Sequence, residues 1–225
     1  MTKTLIFDSG TLINLSMNGL LYLLPKLKQK CDCTFLITKE VKKEVVDRPS
    51  NVPRFKLGAL RVQSLLDSKV LQLPSDLKIP DSAISKKTKY LMELANHSLQ
   101  SDGKWIKIIS QAETSCLALS SELSKLKIQN IISADERTIR ILSEKPDNLK
   151  KIMERKLHRS LKLERENFEK FENFKFIRSS ELVYVAYKKG LLRVKGQSAL
   201  EAVLFATKYK GAAISHDEIK ELKRL

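Results

Sequence analysis

The chain has 225 residues, 42% hydrophobic and 30% charged, with three cysteines and a formal net charge of +16. That is enough for one large domain or two small ones with a sizeable core. With no charged-then-apolar leader and no apolar run of membrane-spanning length, membrane classes are excluded and a cytoplasmic protein is expected. The excess of Lys and Arg is spread along the chain. It favours a polyanionic partner, because neutralising phosphates releases counterions.

In chain order, Lys3 to Phe7 is a short apolar run that predicts a buried strand, closed by Asp8-Ser9-Gly10. Ser9 or Thr11 can cap a helix from about Leu12 to Lys28. Phe35 to Ile37 reads as a second strand, and Thr38 as the cap of a helix carrying Glu40, Val41, Glu44 and Val45. A helix over Phe55 to Leu66, a strand over Val70 to Leu73 and a loop over Pro74 to Pro80 follow. Ser85 to Leu99 reads as helix, broken at Ser101-Asp102-Gly103, and Ser110 opens another helix. Asn130 to Ser133 is a fourth strand, with Asp135 just past it.

After Pro146 the period changes. Leu149, Ile152, Met153, Leu157, Leu161, Phe168 and Phe171 recur at helical spacing among charged residues, so a long amphipathic helix or helical hairpin is expected. Lys151, Arg155, Arg159 and Lys162 share one face of it. The apolar stripe can pack on the chain's own core or against a second copy in a homodimer. Lys175 to Arg178 is a fifth strand. Helices around Glu181 to Lys189 and Ala199 to Lys208, and a short one capped by Ser215, complete the chain. Strands alternating with helices imply βαβ units and a mainly parallel sheet covered on both faces. The expectation is a single α/β domain over residues 1–225, three-layered α/β/α, with a helical insertion at 146–173.

The odd cysteine count argues against a disulfide framework and for a reducing compartment. Cys31-Asp-Cys33 lacks a second Cys or His pair at zinc spacing.

Four carboxylates carry the chemistry: Asp8, Glu44, Glu113 and Asp135. Each lies at the end of an apparent strand or on the helix after it, the edge where α/β proteins bind ligands. Singly, each has an ordinary use. Asp8 and Asp135 can cap helices, Glu44 can be solvated with Glu40 on the same face, and Glu113 suits a helix first turn. Together they repel unless a cation lies between them.

Their order and setting resemble the PIN-domain family of metal-dependent nucleases. The matching features are the aspartate closing strand one, Val41 to Glu44 as V-x-x-E, Ala112 to Leu119 as A-E-x-x-x-L-A-L, and Ser133 to Asp135 followed by Arg140. The resemblance covers residues 3–143 and resumes near 174. It departs from the family at Ser110-Gln111-Ala112-Glu113, where the commoner G-E-A-E form has a second acid.

The resemblance implies a Mg²⁺- or Mn²⁺-dependent endoribonuclease acting on single-stranded RNA, with all four acids as metal ligands. Ser9, Thr11, Ser133 and Glu136 would stand behind them. Lys39, Lys42, Lys43, Arg48, Arg137 and Arg140 are the candidate phosphate contacts. The rival is a PIN-like RNA-binding scaffold without catalysis. Small members of the family act as toxins neutralised by an inhibitor protein; this longer chain does not reveal such a partner. A haloacid-dehalogenase phosphatase is excluded because Gly10 stands where its second acid is needed, and no G-x-G-x-x-G follows a strand.

Overall fold

A computed structural model describes residues 3–224 of the chain. Its centre is a four-stranded parallel sheet of β1 (Lys3–Phe7), β2 (Cys33–Leu36), β5 (Asn130–Ser133) and β7 (Phe176–Ile177). The order across the sheet is β2-β1-β5-β7. The chain leaves β1 toward β2 and later returns to β5 on the other side of β1. The β1–β5 boundary is therefore the topological switch point, where the crevice of an open α/β sheet forms. Leu5, Ile6 and Phe7 pair with Ile131, Ile132 and Ser133 across it. Asp8 and Asp135 thus emerge at neighbouring strand ends.

The helices are α1 (Ser9–Met17), α2 (Leu23–Cys31), α3 (Lys39–Lys42), α4 (Pro53–Asp67), α5 (Asp81–Asn96) and α6 (Gln111–Lys125). After β5 come α7 (Arg137–Leu142), α8 (Pro146–Leu157), α9 (Ser179–Lys188), α10 (Gln197–Tyr209) and α11 (His216–Arg224). Helix α6 packs on β1, β5, α3 and α5, while α2 packs on β2 and α9. No helix among the described residues is long and apolar enough to cross a membrane.

Several expectations need correction. The helix predicted over Leu12 to Lys28 is two helices, separated where Asn18 caps α1 and Gly19 takes φ +67°. Asn-Gly is a helix-stop pair that hydrophobic periodicity overrides on paper. The strand expected over Val70 to Leu73 is a single bridge, Gln72 to Leu36, because Pro74 follows at once. Pro74 to Leu77, expected as loop, is a 3₁₀ turn. Leu99 is not the end of a helix but the start of β3 (Leu99–Ser101), which turns through Asp102 (φ 49°) and Gly103 (φ 74°) into β4 (Lys104–Trp105). Asp-Gly with both residues left-handed is the two-residue hairpin turn that matches strand twist. Cys31 and Cys33 are paired across Asp32. A link that spans one residue closes almost no chain, so it is no framework.

The largest correction concerns residues 146–173. Helix α8 ends at His158, which adopts φ 52°. The chain then forms β6 (Lys162–Leu163), which pairs antiparallel with β3, and a 3₁₀ turn at Arg165–Phe171. A seven-residue apolar recurrence cannot distinguish one helix from a helix, a strand and a turn that all bury the same side of the chain. Leu149, Met153, Leu161, Phe168 and Phe171 are buried in the main core. Most of the apolar stripe is thus used inside the chain, with Leu157 left exposed.

Phe171 is fully buried. Phe171→Ala should cost about 3–5 kcal/mol, read as a lower urea midpoint. A loss below about 1 kcal/mol would mean that the segment is an appendage and not part of the core.

Candidate functional site

Asp8 is the N-cap of α1; its carboxylate accepts from the Gly10 N–H at 3.2 Å, and Ser9 Oγ lies 3.4 Å from its Oδ1. The predicted caps Ser9 and Thr11 are inside the helix instead. Gly10 matters here for its missing side chain, since a Cβ would sit 3.3 Å from Asp8 Oδ2. Ser9 Oγ also donates to Glu44 Oε2 at 2.6 Å. This bond draws the second acid toward the first and selects Glu44 over Glu40. Glu44 stands where α3 widens into a π-helical turn over Lys43–Asp47, a local irregularity that often marks functional positions.

Glu113 is the third helical residue after the Ser110 cap, and the two form a capping box: the Ser110 N–H donates to Glu113 Oε2 at 2.7 Å, and the Glu113 N–H to Ser110 Oγ at 3.3 Å. Asp135 is clamped from three directions. The Ser179 N–H donates to Oδ1 at 2.7 Å, Ser179 Oγ to Oδ2 at 2.7 Å, and Asn14 Nδ2 to Oδ2 at 2.8 Å. Ser179 is the first residue of α9, so the aspartate also sits at a helix N-terminus that favours negative charge.

Asp8, Glu113 and Asp135 line one cavity of about 560 Å³, together with Glu136, Lys107 and Lys210. Glu44 reaches it through Ser9. Thr11 and Ser133 lie buried below, where Ser133 Oγ donates to Thr11 Oγ1 at 3.2 Å and ties β5 to α1. Glu136 is exposed at the rim and accepts from Thr138 Oγ1 at 3.0 Å. Among the described residues, no three His, Cys, Asp or Glu side chains close on a single point tightly enough to enclose an ion as they stand. Glu113 is turned back to its own cap and Asp135 to its clamp.

The electrostatics give the reason. Burial, then the charge of Glu113 and more weakly that of Glu44, raise the Asp8 carboxyl to about 7, against the opposing bonds from Gly10 and Ser9. Burial likewise raises Glu113, opposed by Ser110 and assisted by Glu136 and Glu44. Burial raises Asp135 despite the bonds from Ser179 and Asn14. The thiol of Cys116, fully buried beneath this cluster, is pushed well up by burial and then by Asp8, so it is an inert core group. Hard oxygen donors whose anionic form is disfavoured without a counter-charge fit Mg²⁺ or Mn²⁺.

The basic residues separate into groups. Lys42 pairs with Asp47 at 2.7 Å, and Lys39 pairs with Asp81. Lys43 and Arg48 are exposed on the same stretch, outside the acidic cavity. Arg137 and Arg140 line a different cavity beside it. Asn14, Ser179, Lys107 and Lys210 were missed by sequence reasoning. Asn14 carried a usable signal, since a polar residue on the buried face of α1 requires a partner. Comparison of the chain with family models, curated proteins and solved structures finds no match.

The raised Asp8 pKa sets a sign for stability. Its folded value is near 7 and its ordinary value 3.8, so the contribution is full below about 4 and is lost as pH rises through about 7. Glu218 works in another window. Burial acts to raise it, but Ser215 and Arg178 outweigh burial and hold it near 2, so its contribution is lost only as pH falls from about 4.5. Metal-free protein should therefore gain stability as pH drops from 8 to about 5, by up to a few kcal/mol as a rough ceiling. Asp8→Asn keeps a competent cap and should flatten that slope. Chemical unfolding at several pH values in EDTA measures it; an unchanged slope in the variant would remove Asp8 as its source.

Proposed function

We propose that this chain is a metal-dependent nuclease of the PIN-domain type, with the three-layer α/β/α arrangement of that family, cleaving phosphodiester bonds of single-stranded RNA in the cytoplasm. One observation carries the reading. Asp8, Glu113 and Asp135 line a single cavity at the switch point of a parallel sheet, with Glu44 tied to Asp8 through Ser9, on a chain of net charge +16.

Asp8, Glu113 and Asp135 would hold Mg²⁺ or Mn²⁺, with Glu44 joining directly or through water. When bound, such an ion supplies polarisation of a phosphate oxygen and activation of water at neutral pH. The protein's own contribution is placement. Ser179 and Asn14 fix the Asp135 carboxylate, the Ser9 hydroxyl positions Glu44, and Gly10 leaves room beside Asp8. Lys107 and Lys210 at the cavity wall can take the flanking phosphates. Ile108 and Ile109, both buried, make part of the cavity wall apolar.

A second reading, an RNA-binding scaffold without catalysis, is favoured by the capping bond that turns Glu113 away from the other acids. The two readings differ in one assay. With Mg²⁺ or Mn²⁺, the nuclease cuts unstructured RNA, and Asp8→Asn and Asp135→Asn abolish cutting. Ser179→Ala, which removes one clamp bond, should reduce the rate by about 10- to 100-fold. Cleavage that persists in Asp8→Asn would point to a contaminating nuclease. Binding without cleavage by wild type, over several RNAs and both ions, would establish the scaffold.

A further inference from the structure

Beside the acidic site lies a second cavity of about 890 Å³, enclosed by α7, α8, the start of α9 and the turn between α10 and α11. Arg137, Arg140, Lys151, Arg155 and Lys208 line it. Among the described residues none of these five is ion-paired to a carboxylate. Glu218 on the wall is occupied by Arg178 at 2.7 Å, which leaves Glu144 as the free carboxylate facing five cations. Lys151 and Arg155 come from the basic stripe of the insertion. That stripe divides here: Arg159 turns away to Asp102, at 3.7 Å, and Lys162 lies in β6.

Arg140 lacks a full set of partners. Its Nη2 donates to the Ala213 carbonyl at 3.2 Å, an oxygen that Arg178 Nη1 already uses at 2.9 Å. Its Nε is buried with no hydrogen-bond partner. Arg140 itself lines the cavity, and a guanidinium fork with spare donors suits phosphate oxygens.

The two cavities meet at Lys208-Tyr209-Lys210. Lys208 and Tyr209 face the cationic cavity, and Lys210 faces the acidic one. The Ala213 N–H donates to the backbone carbonyl of Asp135 at 3.2 Å, so a single hydrogen bond joins the two walls. Tyr209 is 72% exposed, and its ring stacks on Phe205 with centroids 6.1 Å apart and planes at 21°. An exposed, backed aromatic ring between two lysines is a platform for a nucleic-acid base.

We propose that the cationic cavity is a phosphomonoester site, and that it takes the terminal phosphate of a single strand whose end base stacks on Tyr209 and whose chain runs on into the acidic cavity. Charge favours a monoester over an internal diester. A terminal phosphate brings about −1.5 to −2 charges and three strong acceptor oxygens, where an internal one brings a single charge. The continuation into the acidic cavity rests on the nuclease reading above; the anion site does not.

The test uses the full chain in EDTA. The variants are the cavity pair Lys151→Gln/Arg155→Gln, a charge-matched control Lys30→Gln/Lys127→Gln near the opposite ends of the strands, and Tyr209→Ala. Inorganic phosphate should raise the melting temperature of wild type, control and Tyr209→Ala alike, and do little to the cavity pair. A labelled oligoribonucleotide is then compared with a 5′-phosphate, with a 3′-phosphate, or with hydroxyls at both ends. One phosphorylated form should bind about tenfold tighter than the hydroxyl form, as expected for charge-assisted bonds, and the cavity pair should lose that gap. Tyr209→Ala should weaken every oligonucleotide. An equal phosphate response in the cavity pair and the control overturns the site. Equal binding of all three oligonucleotides by wild type overturns the terminal-phosphate assignment. A cavity-dependent phosphate response with no oligonucleotide binding keeps the anion site but overturns the single strand as its occupant and points to a small phosphorylated molecule; the nuclease reading is decided separately, by the cleavage assay with metal.

Discussion

The structure is organised around buried carboxylates at the carboxyl edge of a parallel sheet. Asp8 and Asp135 are each only 3% exposed and follow adjacent strands across the switch point. Burial lifts both above the ordinary carboxylate range, and the charges of Glu113 and Glu44 lift Asp8 further. Much of the surrounding structure answers that burial. Asp8 has helix α1 to cap, Asp135 has the N-terminus of α9, and Glu113 has Ser110. These bonds do not offset burial, since all three carboxyls remain raised, and a cation in the cavity they line, as proposed above, would favour their ionised form.

The support for Asp135 draws distant parts of the chain together. Asn14 donates both to Asp135 and to the Thr207 carbonyl, at 2.8 and 2.9 Å, so one buried amide links α1, the strand end and α10. Arg178 stands just ahead of the clamping Ser179. Its bonds to Glu181, Glu218 and the Ala213 carbonyl fix the start of α9 against the α10–α11 turn. The C-terminal helices are in this way part of the site's rigidity. The 146–173 segment contributes on both sides, with Leu149 and Phe171 in the core and Lys151 and Arg155 on the cationic wall.

The strand ends were legible because each is a short apolar run stopped by an acid, and β1, β5 and the Ser110 and Ser215 caps lie where the pattern put them. That Asp8, Glu113 and Asp135 would share one edge of the sheet was legible by position; Glu44 does not line their cavity and is tied to it through Ser9. Their detailed orientations were not, because Glu113 chooses between its own cap and the cavity, and that choice depends on side-chain bonds that sequence spacing does not encode. Asn14 and Ser179 were hidden for a related reason: their partner lies 121 and 44 residues away in sequence. The insertion misled because Leu149, Leu161 and Phe171 bury one side of three different backbone conformations. The α1–α2 break at Asn18-Gly19 was written in turn chemistry and overruled by apolar period, while Asp102-Gly103 was read as a break but not as a hairpin turn, because β3 and β4 are too short to show an alternating pattern.

The most direct test is Mn²⁺ titration of the wild-type chain and of Asp8→Asn, followed by calorimetry and by the electron paramagnetic resonance of free Mn²⁺. The account requires saturable binding by wild type. The melting temperature should rise in parallel, corresponding to about 2.7 kcal/mol at a hundred times the dissociation constant. It also requires loss of both signals in Asp8→Asn. Equal Mn²⁺ uptake by the variant, or none by wild type, would contradict the claim that these carboxylates are assembled around a cation.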